Sequence, residues 1–253
     1  MTKIIMHGCN GKMGQVITAL CKEENDLEIV AGVDISNHIT QEYPVFSRID
    51  DCDVEADVII DFASVKAVDA LLAYSVLRKI PVVLCTTGLD SQKEQALEQA
   101  SKNVAVLKSA NMSLGINLLM DVLKKAVHVL ASAGFDMEII EKHHNQKIDA
   151  PSGTALALAE VLNEELDHGY TYQFDRTKER KKRDKQEIGI HAVRGGNIVG
   201  EHEVIFAGTD EVITFSHTAY SKQVFAKGAI EAAKFLKGKP KGLYHMGDVI
   251  EAK

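Results

Sequence analysis

The chain has 253 residues, 45% hydrophobic and 26% charged, with a formal net charge of −7. That length and apolar content suffice for one large or two modest domains, and the acidic balance excludes general nucleic-acid binding, which needs a basic field. Cys9, Cys21, Cys52 and Cys85 are scattered without a CxxC pair, which indicates free thiols in a reducing compartment and no structural zinc.

In chain order, Ile4-Ile5-Met6 is an apolar run too short for a signal peptide and reads as a strand. No stretch approaches a membrane span, so a cytoplasmic protein with no membrane partner is expected. Glycines and a helical stretch over 13–22 follow, then strands over 28–34 and 56–62 and a helix over 65–78. A strand over 81–85 ends in Thr86-Thr87-Gly88, and a helix capped by Asp90 or Ser91 leads to a strand over 104–108. Near-continuous apolar strands separated by helices predict a parallel sheet buried on both faces. The fold class is therefore α/β, with a Rossmann-type doubly wound domain over residues 1–112.

Beyond Ser113 the texture changes. Residues 115–130 read as an amphipathic helix with Ile116, Leu119, Val122, Leu123 and Val127 on its apolar stripe. A strand over 137–141, a helix over 155–166 and closely spaced strands within 188–218, among them 203–206 and 212–215, come next. Strands without intervening helices favour a mixed or antiparallel sheet, so a second, α+β domain over 113–219 is expected. Residues 220–253, with a helix over 225–236, are expected to dock back on the first domain. The basic run from Arg176 to Lys185 reads as a solvated, mobile loop, with a flap over an anionic ligand as the alternative.

Gly8-Cys9-Asn10-Gly11-Lys12-Met13-Gly14 lies between the first strand and the first helix. The spacing is GxxGxxG, a variant of the commoner GxGxxG, but the placement meets the physical need. Glycines let the backbone approach a pyrophosphate, and a helix N-terminus presents N–H groups and positive dipole. Asp34 ends the second strand, where an acid can bind a ribose hydroxyl. It would repel a 2′-phosphate, which favours NADH, while Lys12 partly offsets this for NADPH. Thr86-Thr87 and Ala110-Asn111-Met112-Ser113 follow the fourth and fifth strands, at the sheet edge where ligands of such folds bind. Each segment, taken alone, is equally well explained as a capped turn. Cys85 reads as a small buried apolar residue rather than a nucleophile.

The richest segment is Glu141-Lys142-His143-His144-Asn145-Gln146-Lys147-Ile148-Asp149-Ala150-Pro151-Ser152-Gly153-Thr154. It leaves a strand and enters a helix, so two histidines and a lysine within five residues of one loop can converge on a small ligand. Histidine moves protons near neutral pH and lysine supplies a cation. The helix start at Ser152-Gly153-Thr154 offers amide hydrogens to a carboxylate. The structural alternative makes Ser152 or Thr154 an ordinary N-cap and the histidines surface residues. No metal site is expected, because no carboxylate or cysteine completes a zinc set here.

On these segments, together with Arg194-Gly195-Gly196-Asn197-Ile198-Val199-Gly200-Glu201-His202 and Gly242-Leu243-Tyr244-His245-Met246-Gly247-Asp248-Val249, the chain resembles the 4-hydroxy-tetrahydrodipicolinate reductases over nearly its whole length. The resemblance implies an NAD(P)H-dependent oxidoreductase of lysine and diaminopimelate biosynthesis that acts on a small dicarboxylate. It implies His143 as general acid/base, Lys147 as proton donor, and His144 with Gly153 and Thr154 as holders of a substrate carboxylate. Gly8, Cys9, Asn10, Gly11, Lys12, Met13, Asp34, Cys85, Thr86, Thr87, Ala110, Asn111, Met112 and Ser113 would line the NADH or NADPH site. It also implies a homotetramer assembled through the second domain's sheet. Some relatives place arginine after the acid at position 34; Ile35 cannot grip a 2′-phosphate, and Lys222 stands where some members carry arginine.

Two other readings compete. Another NAD(P)-dependent amino-acid pathway dehydrogenase is one, but an acylating semialdehyde dehydrogenase needs a catalytic cysteine, and none lies beyond Cys85. A non-catalytic nucleotide sensor would keep the glycine turn and has no need for His143, His144 and Lys147 together.

Overall fold

The computed structural model describes residues 1–36, 39–109, 111–178 and 180–252. The chain divides into two compact units, Met1–Leu114 with Lys222–Lys253, and Gly115–Ser221. In the first stretch β1 (Thr2–His7), α1 (Lys12–Lys22), β2 (Leu27–Val33), β3 (Val45–Phe46), β4 (Val58–Asp61), α2 (Val68–Arg78), β5 (Val82–Leu84), α3 (Ser91–Ser101) and β6 (Ala105–Lys108) follow one another. Next come α4 (Leu114–Ser132), β7 (Asp136–His143), α5 (Gly153–Glu164), β8 (Thr171–Gln173), β9 (Glu187–Arg194), β10 (Gly200–Ala207) and β11 (Val212–Ala219). The chain then returns to the first unit through α6 (Gln223–Leu236), β12 (Gly242–Tyr244) and α7 (Met246–Glu251).

The first unit is built on a seven-stranded parallel sheet in the order β12-β6-β5-β4-β1-β2-β3. The order reverses at β1, so its carboxyl end is the switch point where ligands of doubly wound sheets bind. Strands β4 and β5 are wholly buried, because helices cover both faces. On one face α6 contributes Ala226, Ala229, Ile230, Ala232, Ala233 and Leu236 to the core. On the other, Leu71 and Leu72 of α2 and Leu97 of α3 pack against Ile5, Ile59 and Val82. Each large aliphatic buried this way contributes about 1.5–3 kcal/mol.

Strands β3 and β12, at the two edges of the sheet, are absent from the sequence-based expectation. Two- and three-residue strands are too short to show a periodicity. The helix expected over 65–78 also differs, since residues Val65–Ala67 form a 3-10 turn before α2 begins.

The second unit carries a five-stranded mixed sheet in the order β11-β10-β7-β9-β8. Strand β10 runs antiparallel to β7 and β11, whereas β7 and β8 pair with β9 in parallel. One sheet face meets α4 and α5 through Ile116, Leu123, Val127, Leu158 and Leu162, packed on Met137, Ile139, Val204 and Phe206. Val122, expected on the buried stripe of α4, is 41% exposed. Its neighbour Leu123 takes the core position, and at 100° per residue both cannot point the same way. Among the described residues no helix is long and apolar enough to cross a membrane.

Candidate functional site

At the switch point, the backbone after β1 turns at Gly8 with φ +82°, and a Cβ there would lie 2.8 Å from the Phe62 carbonyl. A Cβ on Gly14 would lie 2.3 Å from the Gly8 oxygen, so only glycine lets the first turn of α1 nest against the loop. Gly11 caps α1 with no side-chain hydrogen bond, which leaves the leading amides to a ligand. This backbone cradle fits a pyrophosphate, and a cavity of about 390 Å³ opens beside it. Gly8, Gly11, Asp34, Ile35, Arg48 and Phe62 are among its walls.

Asp34 is held rigidly, because Oδ2 accepts from the Asn10 amide at 3.0 Å and Oδ1 from the Ser36 amide at 2.9 Å. Two backbone N–H groups therefore offset part of its charge. Asn10 is itself fixed, its side chain donating to the Ser36 carbonyl and accepting from Gln41. Cys9 is buried in the core, Lys12 is exposed and Met13 is half-buried.

Beneath the turn lies a cluster the sequence did not single out. His7 Nδ1 meets Asp61 Oδ1 at 2.7 Å, and Thr86 Oγ1 donates to Asp61 Oδ2 at 2.6 Å. Asp61 is 1% exposed and joins the ends of β1, β4 and β5. Thr86, expected to line the cofactor, thus spends its hydroxyl on Asp61. The Cys85 thiol is buried, and burial together with Asp61 pushes its pKa well above the ordinary value, which suits a core residue and not a nucleophile. Thr87 is exposed.

In the segment after β6, Ala110 lies outside the described residues. Asn111 Oδ1 accepts from the Ser113 amide at 2.8 Å, and Met112 and Ser113 are buried. Helix α6 presses directly on this segment at Gly228, where a Cβ would fall 1.6 Å from the Met112 oxygen. Lys222 is the N-cap residue of α6.

In the second unit, β7 alternates half-buried and buried residues through its last position, His143. The sequence expectation ended this strand at residue 141 and put His143 on a loop. The structure corrects this: His143 points to the same buried face as Glu141, and only His144 onward is loop. The charged side chains at 142 and 143 hide the strand's end from an apolar-run reading. Asn145 and Lys147 donate backbone amides to Gly196 and His144, which closes the turn.

The Glu141 carboxylate is fully buried and receives His143 Nδ1 at 2.6 Å, both Arg194 terminal nitrogens at 2.7 Å and the Ser152 amide at 2.9 Å. Burial raises its pKa, but Arg194 and His143 outweigh that and hold it below the usual carboxylate range. Burial lowers the His143 imidazole, with Glu141 opposing. Ser152 is the N-cap of α5, its Oγ accepting from the Ala155 amide at 3.2 Å and lying 3.0 Å from His202 Nε2. The capping alternative thus describes Ser152 itself. Gly153 beside it is open, with nothing within 4 Å of where a Cβ would stand.

His144 is half-buried, and its Nδ1 is a buried polar atom without a hydrogen-bond partner among the described residues, which suits a nitrogen awaiting a ligand. Lys147 pairs with Asp149 at 2.8 Å and is 22% exposed. The end of β7 and the loop after it thereby bring together a buried imidazole on a carboxylate, an ammonium and an open helix start. That set can bind a carboxylate and exchange protons.

His202 packs edge-on to His143, with ring centroids 5.1 Å apart. Burial, reinforced by the neighbouring His143, pushes its pKa down to about 4, and a neutral ring accepting from Ser152 Oγ–H fits that value. The unfolded chain titrates near 6.5, so between 6.5 and about 4 the unfolded state binds the extra proton. The stability supplied by the neutral ring is whole above pH 6.5 and drains away as pH falls towards 4. Thermal melts across that window should therefore show a falling Tm, and His202→Gln should flatten the fall. An unchanged slope in the variant would contradict this.

The basic run is not the free loop its composition suggests. Arg183 Nε reaches Glu138 at 3.0 Å and Nη1 reaches Asp136 at 2.9 Å, while Arg176 pairs with Glu138 at 2.8 Å and with Glu187. Both arginines pin the loop to the sheet through β7, and Lys178 and Lys181 pair locally with Asp175 and Asp184.

The family described as dihydrodipicolinate reductase, N-terminus, matches residues 2–112, and that described as dihydrodipicolinate reductase, C-terminus, matches residues 115–250. The chain is 51% identical to the 4-hydroxy-tetrahydrodipicolinate reductase of Caldanaerobacter subterraneus, over 99% of both chains. It is 50% identical to the enzyme of that name from Clostridium tetani, over 97% of this chain and 96% of the other. Among solved structures, a dipicolinate-bound dihydrodipicolinate reductase from Paenisporosarcina superposes with a TM-score of 0.77 at 25% identity, covering 97% of each chain.

Proposed function

Because the chain belongs to the dihydrodipicolinate reductase family, a group of reductases in lysine and diaminopimelate biosynthesis, we propose that it reduces 4-hydroxy-tetrahydrodipicolinate, by way of dihydrodipicolinate, to tetrahydrodipicolinate, with His143 and Lys147 as its catalytic residues. The observation that carries this reading is that a buried imidazole at the end of β7, an ammonium on the loop that follows and an open helix start at its far end are held together. Bound reduced nicotinamide supplies a hydride to the 4-position of the conjugated ring. Electrons then move towards the ring nitrogen, and the enamine so formed must gain one proton. Lys147 Nζ gives that proton, and His143 exchanges protons through Nε2, since Nδ1 is committed to Glu141. The amides of Gly153 and Thr154, with His144, hold a carboxylate and fix the ring's orientation.

In the first unit, the turn Gly8–Met13 would take the pyrophosphate, with the leading α1 amides of Lys12 and Met13 pointing to it, since the amides of Gly8, Asn10 and Gly11 are spent on Val33, Asp34 and Gly8. Asp34 would take the adenosine ribose, and Asn111–Ser113 with Thr87 would line the nicotinamide half. NADH and NADPH both serve. Asp34 favours NADH, while Arg48, on the wall of the same cavity and paired with Asp50 at 2.8 Å, offers a guanidinium to a 2′-phosphate. Arg48→Ala should therefore weaken NADPH binding about tenfold and leave NADH nearly untouched, as read by nucleotide fluorescence titration. Equal losses for both would remove Arg48 from phosphate recognition. The sheet face of the second unit opposite α4 and α5, with Val193 and Val212 exposed at 46% and 62%, supports a homotetramer formed there. Four buried free cysteines support a cytoplasmic setting.

The test is a coupled assay in which dihydrodipicolinate synthase product is supplied with NADH or NADPH. Oxidation of both nucleotides, inhibited by dipicolinate, is the expected result. Failure to oxidise either would end the reading.

A further inference from the structure

The mechanism above uses His143 but leaves the group behind it unexplained. Glu141 is one of the most thoroughly buried ionisable residues of the second unit, at 0% exposure. An ionised carboxylate without water costs several kcal/mol unless it is fully compensated. Here the compensation is complete without any charge on the imidazole. Arg194 grips both oxygens in a two-pronged pair, and the Ser152 amide fills a third position on Oε1. The fourth, on Oε2, faces His143 Nδ1. An acceptor-only carboxylate forces that nitrogen to carry the hydrogen.

The same four bonds tie three pieces of chain. Glu141 and His143 end β7, Arg194 ends β9, and Ser152 starts α5. Arg194 also donates to the Asp149 carbonyl at 2.7 Å, so the loop between His144 and Ser152 is held at two points. One carboxylate therefore controls the imidazole and the helix start that is to receive a substrate carboxylate.

We infer that Glu141 is a positioning residue for the reaction: with Arg194 it fixes His143 as the Nδ1–H tautomer, presents Nε2 as the proton-exchanging nitrogen, and anchors the anion-binding turn at Ser152-Gly153. This rests on His143 being catalytic, as proposed above. An arrangement of this kind, a buried acid on a catalytic imidazole, acts by tautomer and orientation and not by taking the proton itself.

The charged and titratable groups around His143 are Glu141 on its own strand, Arg194 on β9, His202 on β10 with His217 beyond it on β11, and Lys147 and Asp149 on the loop. Lys147 and Arg194 disfavour the imidazolium, and Glu141 is the group that favours it. Removing the Glu141 charge while keeping its shape must therefore move the His143 limb of the pH–rate profile to lower pH.

The experiment is Glu141→Gln in the full chain. The expected result is a drop in kcat of about 10²-fold, a much smaller change in substrate KM, and displacement of the His143 limb to lower pH. Glu141→Asp, which keeps the charge, should recover part of the rate and return the limb towards its wild-type position. A folded Glu141→Gln enzyme with wild-type kcat and pH profile would overturn the inference. A second measurement needs no variant: nitrogen-15 NMR of wild-type His143 should show the hydrogen on Nδ1, and a neutral ring protonated on Nε2 would overturn it equally. Failure of the catalytic reading would show instead as wild-type activity in a His143→Ala enzyme, whatever tautomer the ring adopts.

Discussion

Replacing Lys147 by alanine is expected to lower kcat by about 10³-fold while the dissociation constant for NADH stays within twofold of wild type. The enamine left after hydride arrival cannot proceed without a proton, and a positioned donor contributes about 10²–10⁴-fold. Lys147 is the one ammonium on the loop that joins His143, at the end of β7, to the start of α5, and it is already held in place by Asp149 at 2.8 Å. The residues proposed to bind nucleotide all belong to the unit Met1–Leu114 with Lys222–Lys253, whereas Lys147 belongs to the other. Single-turnover kinetics with pre-bound NADH, set beside a fluorescence titration of the nucleotide, separates chemistry from binding. A variant with near wild-type kcat would take Lys147 out of the catalytic step.

Gly228→Ala is expected to be the most damaging substitution of a single hydrogen by a methyl outside the proposed catalytic loop. The new Cβ would sit 1.6 Å from the Met112 oxygen, so either α6 or the segment 111–113 must move. Neither moves freely. Ala226, Ala229 and Ala233 pack α6 into a fully buried core, and Met112 is part of the same core. Overpacking of this kind costs about 1–3 kcal/mol or more, which for a chain of this size corresponds to a fall in Tm of roughly 2–12 °C. The displaced segment is also proposed to line the nicotinamide half, so weaker NADH binding should accompany the lower Tm. Calorimetry with and without nucleotide reads both effects, and an unshifted Tm would show that the helix has room to retreat.

Much of this arrangement was legible from the residues. The apolar runs at β1, β2, β4, β5 and β6, spaced by helices, specify a parallel sheet because only strands buried on both faces read that way. The glycine turn was legible for a similar reason: three positions without side chains between a strand and a helix have few uses other than close backbone approach. The edge strands β3 and β12 were not legible, since pairing with a neighbour, and not their own pattern, makes them strands. His143 was assigned its role but misplaced on a loop, because polar side chains on a buried strand end look like the start of a turn. Arg194 and His202 lie 51 and 59 residues beyond His143, and no local spacing announces a contact made through sheet pairing. Arg48 was missed for the same reason, since it reaches the cavity of Asp34 from 14 residues away. The basic run misled in the opposite direction: its composition suggests solvent, but two of its arginines are claimed by Glu138 and its neighbours.

The parallel sheet of the nucleotide unit is completed by residues made more than a hundred positions after its other strands. Helix α6 shares the cover of one face with α1 and α7, and β12 pairs with the edge of β6. On the ribosome, the strands from β1 to β6 emerge with that face only partly covered, by α1, and that edge unpaired, while Gly115–Ser221 forms its own compact set of contacts. Synthesis therefore sets an order in which the later-encoded unit can mature first, and a nascent chain stalled before residue 223 exposes an unpaired strand edge and apolar sheet surface, features that favour aggregation.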